Sequence, residues 1–380
     1  MKDQANVLTV ASIIGTRPDA LKMAPVILEL QRHPDRVRPL VIATGQHREL
    51  LQQVLGVFGI VPHHDLEIMR PGQTLAQITC RALEGLDALL AAERPDMVLA
   101  QGDTTTTFVA TLAAFYHQIP VGHVEAGLRT ENRYDPFPEE MNRRLTASLA
   151  SLHFAPTQRA ADNLRREGYA DDTIHTVGNT VIDALLTVAE RDVPLPDAEL
   201  EALTRSDQRL LLVTAHRREN WGAPLRRICG ALRRILRETP DAHVVFQLHP
   251  NPRVRDVVCA ELSDAPRVTL IEPQEYVPWV TLMRRAALIL TDSGGIQEEA
   301  PALGKPVLVL RETTERPEGI DAGTALLVGT QEDAIVAAAR RLLHDPSAYA
   351  AMARAVNPYG DGRAARRIVA IVLRSCAQPG

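Results

Sequence analysis

One pattern constrains this chain more than any other. Short apolar runs rich in Val, Ile and Leu alternate with longer segments whose apolar residues recur every three or four positions. The first half carries runs at 7–14, 37–43, 96–100, 119–124, 151–155 and 173–177, and the second at 209–214, 242–248, 267–271, 286–291, 306–310 and 324–328. A continuous apolar run of this kind reads as a strand buried on both faces, and strands joined through helices run parallel. Segments 20–33, 73–93, 157–168 and 225–239 carry the helical spacing. Two consecutive sets of such units predict an α/β chain with two doubly wound, Rossmann-like parallel-sheet domains. The ligand cleft is expected between them, at the carboxyl ends of the strands.

The length of 380 residues agrees with about two domains at roughly 150 residues each. The boundaries are expected at 1–177 and 178–360. Gly178-Asn179-Thr180 closes the first set, and Val193-Pro194-Leu195-Pro196 precedes the second. An Arg-rich helix within 361–380 is expected to pack back on the first domain.

Composition narrows the partners. A net charge of −5 gives no basic surface for a nucleic-acid backbone, and 4% aromatics leave little for base stacking. Cys80, Cys229, Cys259 and Cys376 stand alone, which reads as scattered reduced thiols. His63, His64, His153 and His175 lack metal-ligand spacing, so no metal site is expected. The run from Val7 to Ile14 is too short for a signal core, and the uncharged stretch 104–124 holds four consecutive Thr plus Gln118 and Pro120. A cytoplasmic protein with neither nucleic-acid nor membrane partners is expected.

If ligands gather at strand ends, the residues just beyond each run should be polar and unusual. Gly15-Thr16-Arg17-Pro18 turns into a helix that also carries Lys22, an arrangement suited to anions. Only three of the 42 basic residues are Lys: Lys2, Lys22 and Lys305. Gln101-Gly102-Asp103, His123-Val124-Glu125 and Pro136-Phe137-Pro138-Glu139 each bring a carboxylate to one sheet edge. Clustered carboxylates are costly without cations or retained protons, and the pattern marks acid–base sites. In the second half, Thr214-Ala215-His216-Arg217 and His249-Pro250-Asn251 follow two strands. Asp292-Ser293-Gly294-Gly295 opens a helix with bare N–H groups for a phosphate, and Glu299 further along could accept from ribose hydroxyls. No G-x-G-x-x-G follows a strand, and no P-loop or nucleophile elbow is present.

Taken together, GTRPDALKMAPV, TGQHRELL, QGDTTTT, HVEAGLRT, PFPEEMNRR, GNTVID, TAHRREN, HPNP and TDSGGIQEEAPALGKPVLVLRETTERPEG resemble the non-hydrolysing UDP-N-acetylglucosamine 2-epimerases over nearly the whole chain. The resemblance implies a glycosyltransferase-B-like fold, a homodimer, and interconversion of UDP-GlcNAc and UDP-ManNAc without a cofactor. It matches Asp103, Glu125 and Glu139 to the catalytic carboxylates. It matches Arg17, Lys22 and His216 to groups that contact the phosphates or assist departure of UDP, with His216 counted among the catalytic residues. Ser293, Gly294, Gly295, Glu299 and Arg316 fall on nucleotide-binding positions, and Arg143 and His249 on further substrate contacts. Gln46, His47, Arg70 and Arg217 fall on the activator site of some bacterial members. Asp19 stands where the family usually has Glu. Related activities remain open at this level: 2-epimerisation of another UDP-sugar such as a UDP-diacetamido-glucuronate, or a hydrolysing epimerase that releases UDP and ManNAc.

The chemistry explains why such residues are needed. The proton on carbon 2 is not next to a carbonyl, so a base alone does not remove it readily. One route is transient oxidation, whose dinucleotide fingerprint is missing. The other is elimination of UDP to a 2-acetamidoglucal, return of the proton to the opposite face, and re-addition of UDP. That route needs a firm diphosphate site and acid–base groups on both faces of the ring.

Overall fold

The computed structural model describes residues 7–45, 48–130 and 132–376. Among the described residues the twelve apolar runs and one short polar segment form thirteen parallel strands in two sheets, each within its own unit. In the first unit the order is β1 (Leu8–Ile14), α1 (Arg17–Gln31), β2 (Val37–Ala43), α2 (Arg48–Val57), β3 (His64–Asp65), α3 (Leu75–Glu93), β4 (Met97–Gln101), α4 (Thr105–Tyr116), β5 (Val121–Val124), α5 (Glu139–Leu149), β6 (Leu152–Ala155), α6 (Gln158–Arg166) and β7 (Ile174–Thr176). Helix α7 (Thr180–Ala189) leads into the second unit. There the order is α8 (Ala198–Thr204), β8 (Arg209–Thr214), α9 (Ala223–Glu238), β9 (Ala242–Gln247), α10 (Pro252–Leu262), β10 (Val268–Ile271), α11 (Tyr276–Arg285), β11 (Leu288–Thr291), α12 (Gly294–Ala302), β12 (Val307–Val309), α13 (Pro317–Asp321), β13 (Ala325–Leu327), α14 (Glu332–His344) and α15 (Pro346–Ala353). Helix α16 (Ala364–Ser375) returns to the first unit.

Most strands are rich in apolar residues because helices pack on the sheets. On one face of the first sheet, Ala11, Ile13, Leu40, Ile42, Val98 and Ala100 pack against Ala82, Leu86 and Leu90 of α3 and Val109 and Ala113 of α4. The two-residue period along each strand selects that face. In the second unit, Leu211, Val213, Val244, Phe246, Leu288 and Leu290 pack on Leu232 and Ile235 of α9, Val254 and Val258 of α10 and Ile335 and Ala339 of α14. Each side chain of this size contributes about 1.5–3 kcal/mol when fully buried. Strand β3 escaped the sequence reading because it is two residues long and polar.

The first sheet has the order β3-β2-β1-β4-β5-β6-β7 and the second β10-β9-β8-β11-β12-β13. Both reverse direction once, between β1 and β4 and between β8 and β11. At such a reversal the two loops leaving adjacent strands turn to opposite sides, and the crevice they leave open receives ligands. Close approach makes the first crevice possible. A Cβ on Gly15 would lie 2.3 Å from Thr106 Oγ1, at the start of α4.

The units divide between Ala184 and Leu185 and between Tyr359 and Gly360. The expected break at 177–178 differs because the division falls inside α7, where no glycine or proline marks it. In the first unit, Asp183 caps α16 by accepting the N–H of Ala364 (3.2 Å) and of Ala365 (2.9 Å), and Arg367 donates to the Val177 carbonyl (3.0 Å). Among the described residues no helix is long and apolar enough to cross a membrane.

Gly127, just beyond β5, has φ +88°, and a Cβ there would meet the Ala160 carbonyl oxygen at 2.2 Å. Gly59 has φ +67° with nothing within 4 Å. Replacing Gly59 with Ala incurs only left-handed strain, about 1–2 kcal/mol. Gly127→Ala adds a clash with backbone, roughly 1–3 kcal/mol more. Urea unfolding of the two variants should therefore rank G127A below G59A; equal midpoints would contradict the packing argument.

Candidate active site

The carboxyl edge of the first sheet is organised around two carboxylates, each clasped by a cation. Glu125 is the first residue after β5 and adopts φ +66°, uncommon for a residue with a side chain. Lys22, two turns into α1, places Nζ 2.6 Å from both of its oxygens. Gln101, the last residue of β4, donates to it as well, and Asn179, just before α7, donates from Nδ2 at 3.3 Å. Three separate segments thus converge on one side chain that is itself 8% exposed. Asp103, two residues beyond β4, receives Arg143 through Nε (2.9 Å) and Nη2 (2.5 Å). Its main-chain carbonyl accepts Asn142 Nδ2 at 2.8 Å. The two groups lie on adjoining loops, since a Cβ on Gly102 would be 3.6 Å from Glu125 Oε2.

Arg143 is set by its helix. The fully buried Glu140 on the preceding turn lies 3.4 Å from its Nη1 and also accepts Arg144 Nε (2.8 Å) and the Thr130 N–H (3.0 Å). Glu139, the first residue of α5, is half-buried and makes no ion pair among the described residues. His123 is buried under the same edge and donates to the Gly102 carbonyl at 2.7 Å; burial lowers its pKa to about 4, so it is neutral.

The β1–α1 loop owes its shape to a capping box. Thr16 Oγ1 accepts the Asp19 N–H (3.4 Å), and Asp19 accepts the N–H of Gly15 (3.2 Å) and Thr16 (3.1 Å) and the hydroxyls of Thr16 (2.7 Å) and Thr104 (3.3 Å). Arg17, beside Thr16, is half-buried and makes no ion pair among the described residues.

The second sheet presents an edge of different character. Asp292, just after β11, is fully buried. Its Oδ2 accepts the N–H of His216 (2.8 Å) and Arg217 (2.9 Å) and Asn220 Nδ2 (2.9 Å), binding the β8–α9 loop to the β11–α12 loop. The rings of His216 and His249 stack with centroids 5.4 Å apart and 12° between planes. Burial and the neighbouring His216 hold His249 below the usual imidazole range. Ser293 stands at the N-cap of α12 without a side-chain cap bond, so the first N–H groups there point outward. Gly294 lies between two guanidiniums: a Cβ on it would be 3.7 Å from Arg217 Nη2 and 4.0 Å from Arg316 Cζ. Arg316 bonds Glu298, and Arg217 lies 3.6 Å from Glu315. A Cβ on Gly295 would be 3.6 Å from Glu299 Oε1, so that carboxylate borders the helix start. Helix dipole, uncapped N–H groups and two nearby guanidiniums are an arrangement chemically suited to an anion.

Of the activator positions, Gln46 and His47 lie outside the described residues. Arg70 is exposed and bonds carbonyls of its own loop, Glu67 (3.1 Å) and Met69 (2.9 Å). The sequence reading missed Gln101, Asn179 and Asp292 as partners. Each sits in a motif that was recognised, but only the fold shows what its side chain meets. Among the described residues no three His, Cys, Asp or Glu gather as a metal site would require.

Two Rossmann-like parallel-sheet units with such edges define a glycosyltransferase-B-like protein. A family model described as UDP-N-acetylglucosamine 2-epimerase matches residues 28–373, and the chain belongs to that family. It is 53% identical over 367 residues to the UDP-N-acetylglucosamine 2-epimerase of Yersinia pestis, covering 95% of this chain and 97% of that one. The Bacillus subtilis (strain 168) protein of the same name is 52% identical over 366 residues, covering 96% of this chain and 95% of that one. The crystal structure of UDP-GlcNAc 2-epimerase from Neisseria meningitidis bound to UDP-GlcNAc superposes with a TM-score of 0.88 at 47% identity, covering 97% of this chain and all of that one.

Burial raises the Asp19 pKa from 3.8 to about 6, outweighing the hydrogen bonds from Thr16 and Gly15 that favour the charged form. Between these values the folded chain binds more protons than the unfolded chain, so this group's contribution to stability falls as pH rises through that window. Asn at this position does not titrate. Denaturant unfolding at about pH 4 and about pH 7 should show D19N gaining relative to wild type at the higher pH. A difference that does not change with pH would rule this out.

Proposed function

We propose that this chain interconverts UDP-GlcNAc and UDP-ManNAc by elimination and re-addition of UDP, without hydrolysis. The observation that carries the reading is the paired arrangement of Glu125 with Lys22 and Asp103 with Arg143 on adjoining loops, in a chain whose other sheet ends in an anion-binding helix start. Family membership supplies the substrate class.

In the forward direction a carboxylate takes the proton from carbon 2. The electrons of that bond form the carbon 1–carbon 2 double bond, and the pair of the breaking carbon 1–oxygen bond leaves with the β-phosphate of UDP. The return delivers a proton to the opposite face of carbon 2 while the β-phosphate oxygen re-forms its bond to carbon 1. Nothing is consumed. We assign proton transfer to Asp103, Glu125 and Glu139 as a set. Arg17, Lys22 and His216 offset the charge that develops on the diphosphate. Ser293, Gly294, Gly295, Glu299 and Arg316 hold the nucleotide, with Arg143 and His249 as further substrate contacts. We also infer a homodimer, supported by the family resemblance and checked by sedimentation.

Proton NMR of the protein with UDP-GlcNAc in D₂O tests the reading. UDP-ManNAc carrying deuterium at carbon 2 is expected. Free ManNAc with UDP would instead identify a hydrolysing enzyme, and an unchanged spectrum would move the assignment to another UDP-sugar. D103N, E125Q and E139Q should each lower kcat roughly 10²–10⁴-fold, the range of a general acid–base group. Near-full turnover in all three would refute the assignment of the carboxylates.

A further inference from the structure

The two stacked histidines of the second unit are not equivalent, and the main chain shows why. His249 Nδ1 accepts the N–H of Asn251 at 3.1 Å. That nitrogen carries no proton, so the ring holds its hydrogen on Nε2. His216 faces the opposite situation. Its Nδ1 lies 3.1 Å from Asp292 Oδ1, a buried oxygen that receives no aligned hydrogen bond. Contacts of this kind are often poorly aligned before substrate binds and tighten afterwards. The other oxygen, Oδ2, is saturated by His216 N–H, Arg217 N–H and Asn220 Nδ2. Asp292 therefore has one oxygen saturated by the loop and one left to face the ring at 3.1 Å.

We propose that Asp292 is a positioning residue for His216: it holds a proton on Nδ1, so that Nε2 is the atom that exchanges a proton with the diphosphate leaving group. The inference rests on the reading above that His216 meets the diphosphate. Asp292 itself is fully buried. Its carboxylate is held below the usual range because His216 and two backbone N–H groups outweigh the cost of burial. A positively charged ring carries N–H on both nitrogens, and its Nδ1–H is stabilised by an acceptor. Asp292 supplies that acceptor, and the three bonds to Oδ2 fix where it stands.

The same three bonds make one substitution unusually informative. In D292N the three donors require the amide oxygen at the Oδ2 position, which turns the amide NH₂ toward His216 Nδ1. An acceptor becomes a donor with little change in shape, so the neutral ring shifts its hydrogen to Nε2 and a cationic ring loses the acceptor for its Nδ1–H. Removing the acceptor beside a catalytic imidazole in this way has a large effect on turnover.

The test uses protein labelled with ¹⁵N-histidine and long-range ¹H–¹⁵N correlation at a pH where the rings are neutral. In wild type, His216 should show the Nδ1–H tautomer and His249 the Nε2–H tautomer. In D292N, His216 should invert and His249 should not, which provides an internal control. Turnover of UDP-GlcNAc by D292N should fall roughly 10²–10⁴-fold in kcat with little change in KM. If Asp292 acts only through His216, H216N and H216N/D292N should have the same kcat. An Nε2–H tautomer on wild-type His216 overturns the proposal, as does an inverted D292N at full turnover, or losses that add in the double variant. If D292N does not fold, the wild-type tautomer decides. If wild type does not turn over UDP-GlcNAc, the epimerase reading fails, while the spectra still show whether Asp292 sets the ring.

Discussion

Both sheets depend on the same constraint at the point where their winding reverses. Two loops leave adjacent parallel strands in opposite directions, and their main-chain N–H groups have no ladder to join. A buried aspartate closes each gap. In the first unit, Asp19 on the β1 side gathers the N–H groups of Gly15 and Thr16 and reaches Thr104 beyond β4. In the second, Asp292 on the β11 side gathers the N–H groups of His216 and Arg217 beyond β8. The carboxylate comes from opposite sides of the reversal, yet it serves the same end. Without it the loops would carry unsatisfied buried donors, at about 1–3 kcal/mol each, and the side chains standing on them would lose their fixed origin.

The two edges differ in how charge is arranged on that common base. In the first unit the cations are engaged directly by the carboxylates assigned to proton transfer. Lys22 is one of three lysines in the chain. Its compact ammonium lies 2.6 Å from each Glu125 oxygen, while Asp103 receives the planar fork of Arg143. A point charge can leave one partner for another at small geometric cost, whereas a fork is bound to a plane. Lys22 is thus suited to divide itself between Glu125 and a phosphate, and Arg143 to hold Asp103 in one orientation.

Much of this architecture is legible in the sequence because it rests on local signals. The strands show as apolar runs, since both faces of a parallel sheet are covered, and the helix starts show through Thr16, Pro18 and Ser293. The strand-end motifs pointed to the residues of both edges. What could not be read are relations between distant residues of the chain. Asp292 lies 76 positions from His216, and Asn179 lies 54 from Glu125. Nothing in their own motifs says what they touch. Strand β3 was hidden because two polar residues carry no periodicity, and the unit boundary because α7 continues through it.

The second edge reaches its anion-binding character without a surplus of charged side chains. Arg311 is paired with Glu219 and Glu315, Arg316 with Glu298, and Arg217 stands near Glu315. Each guanidinium is held by a carboxylate, which fixes its plane but offsets its charge. The uncompensated positive potential is left to the N–H groups at the start of α12. It is permanent, because a helix start cannot lose its dipole. On the proposed function, a site that holds a diphosphate both as part of a sugar nucleotide and as a free leaving group, which bears more negative charge, needs a fixed component and one that moves a proton. On that reading the fixed dipoles keep the nucleotide in place, and the imidazole that Asp292 is proposed to orient exchanges the proton.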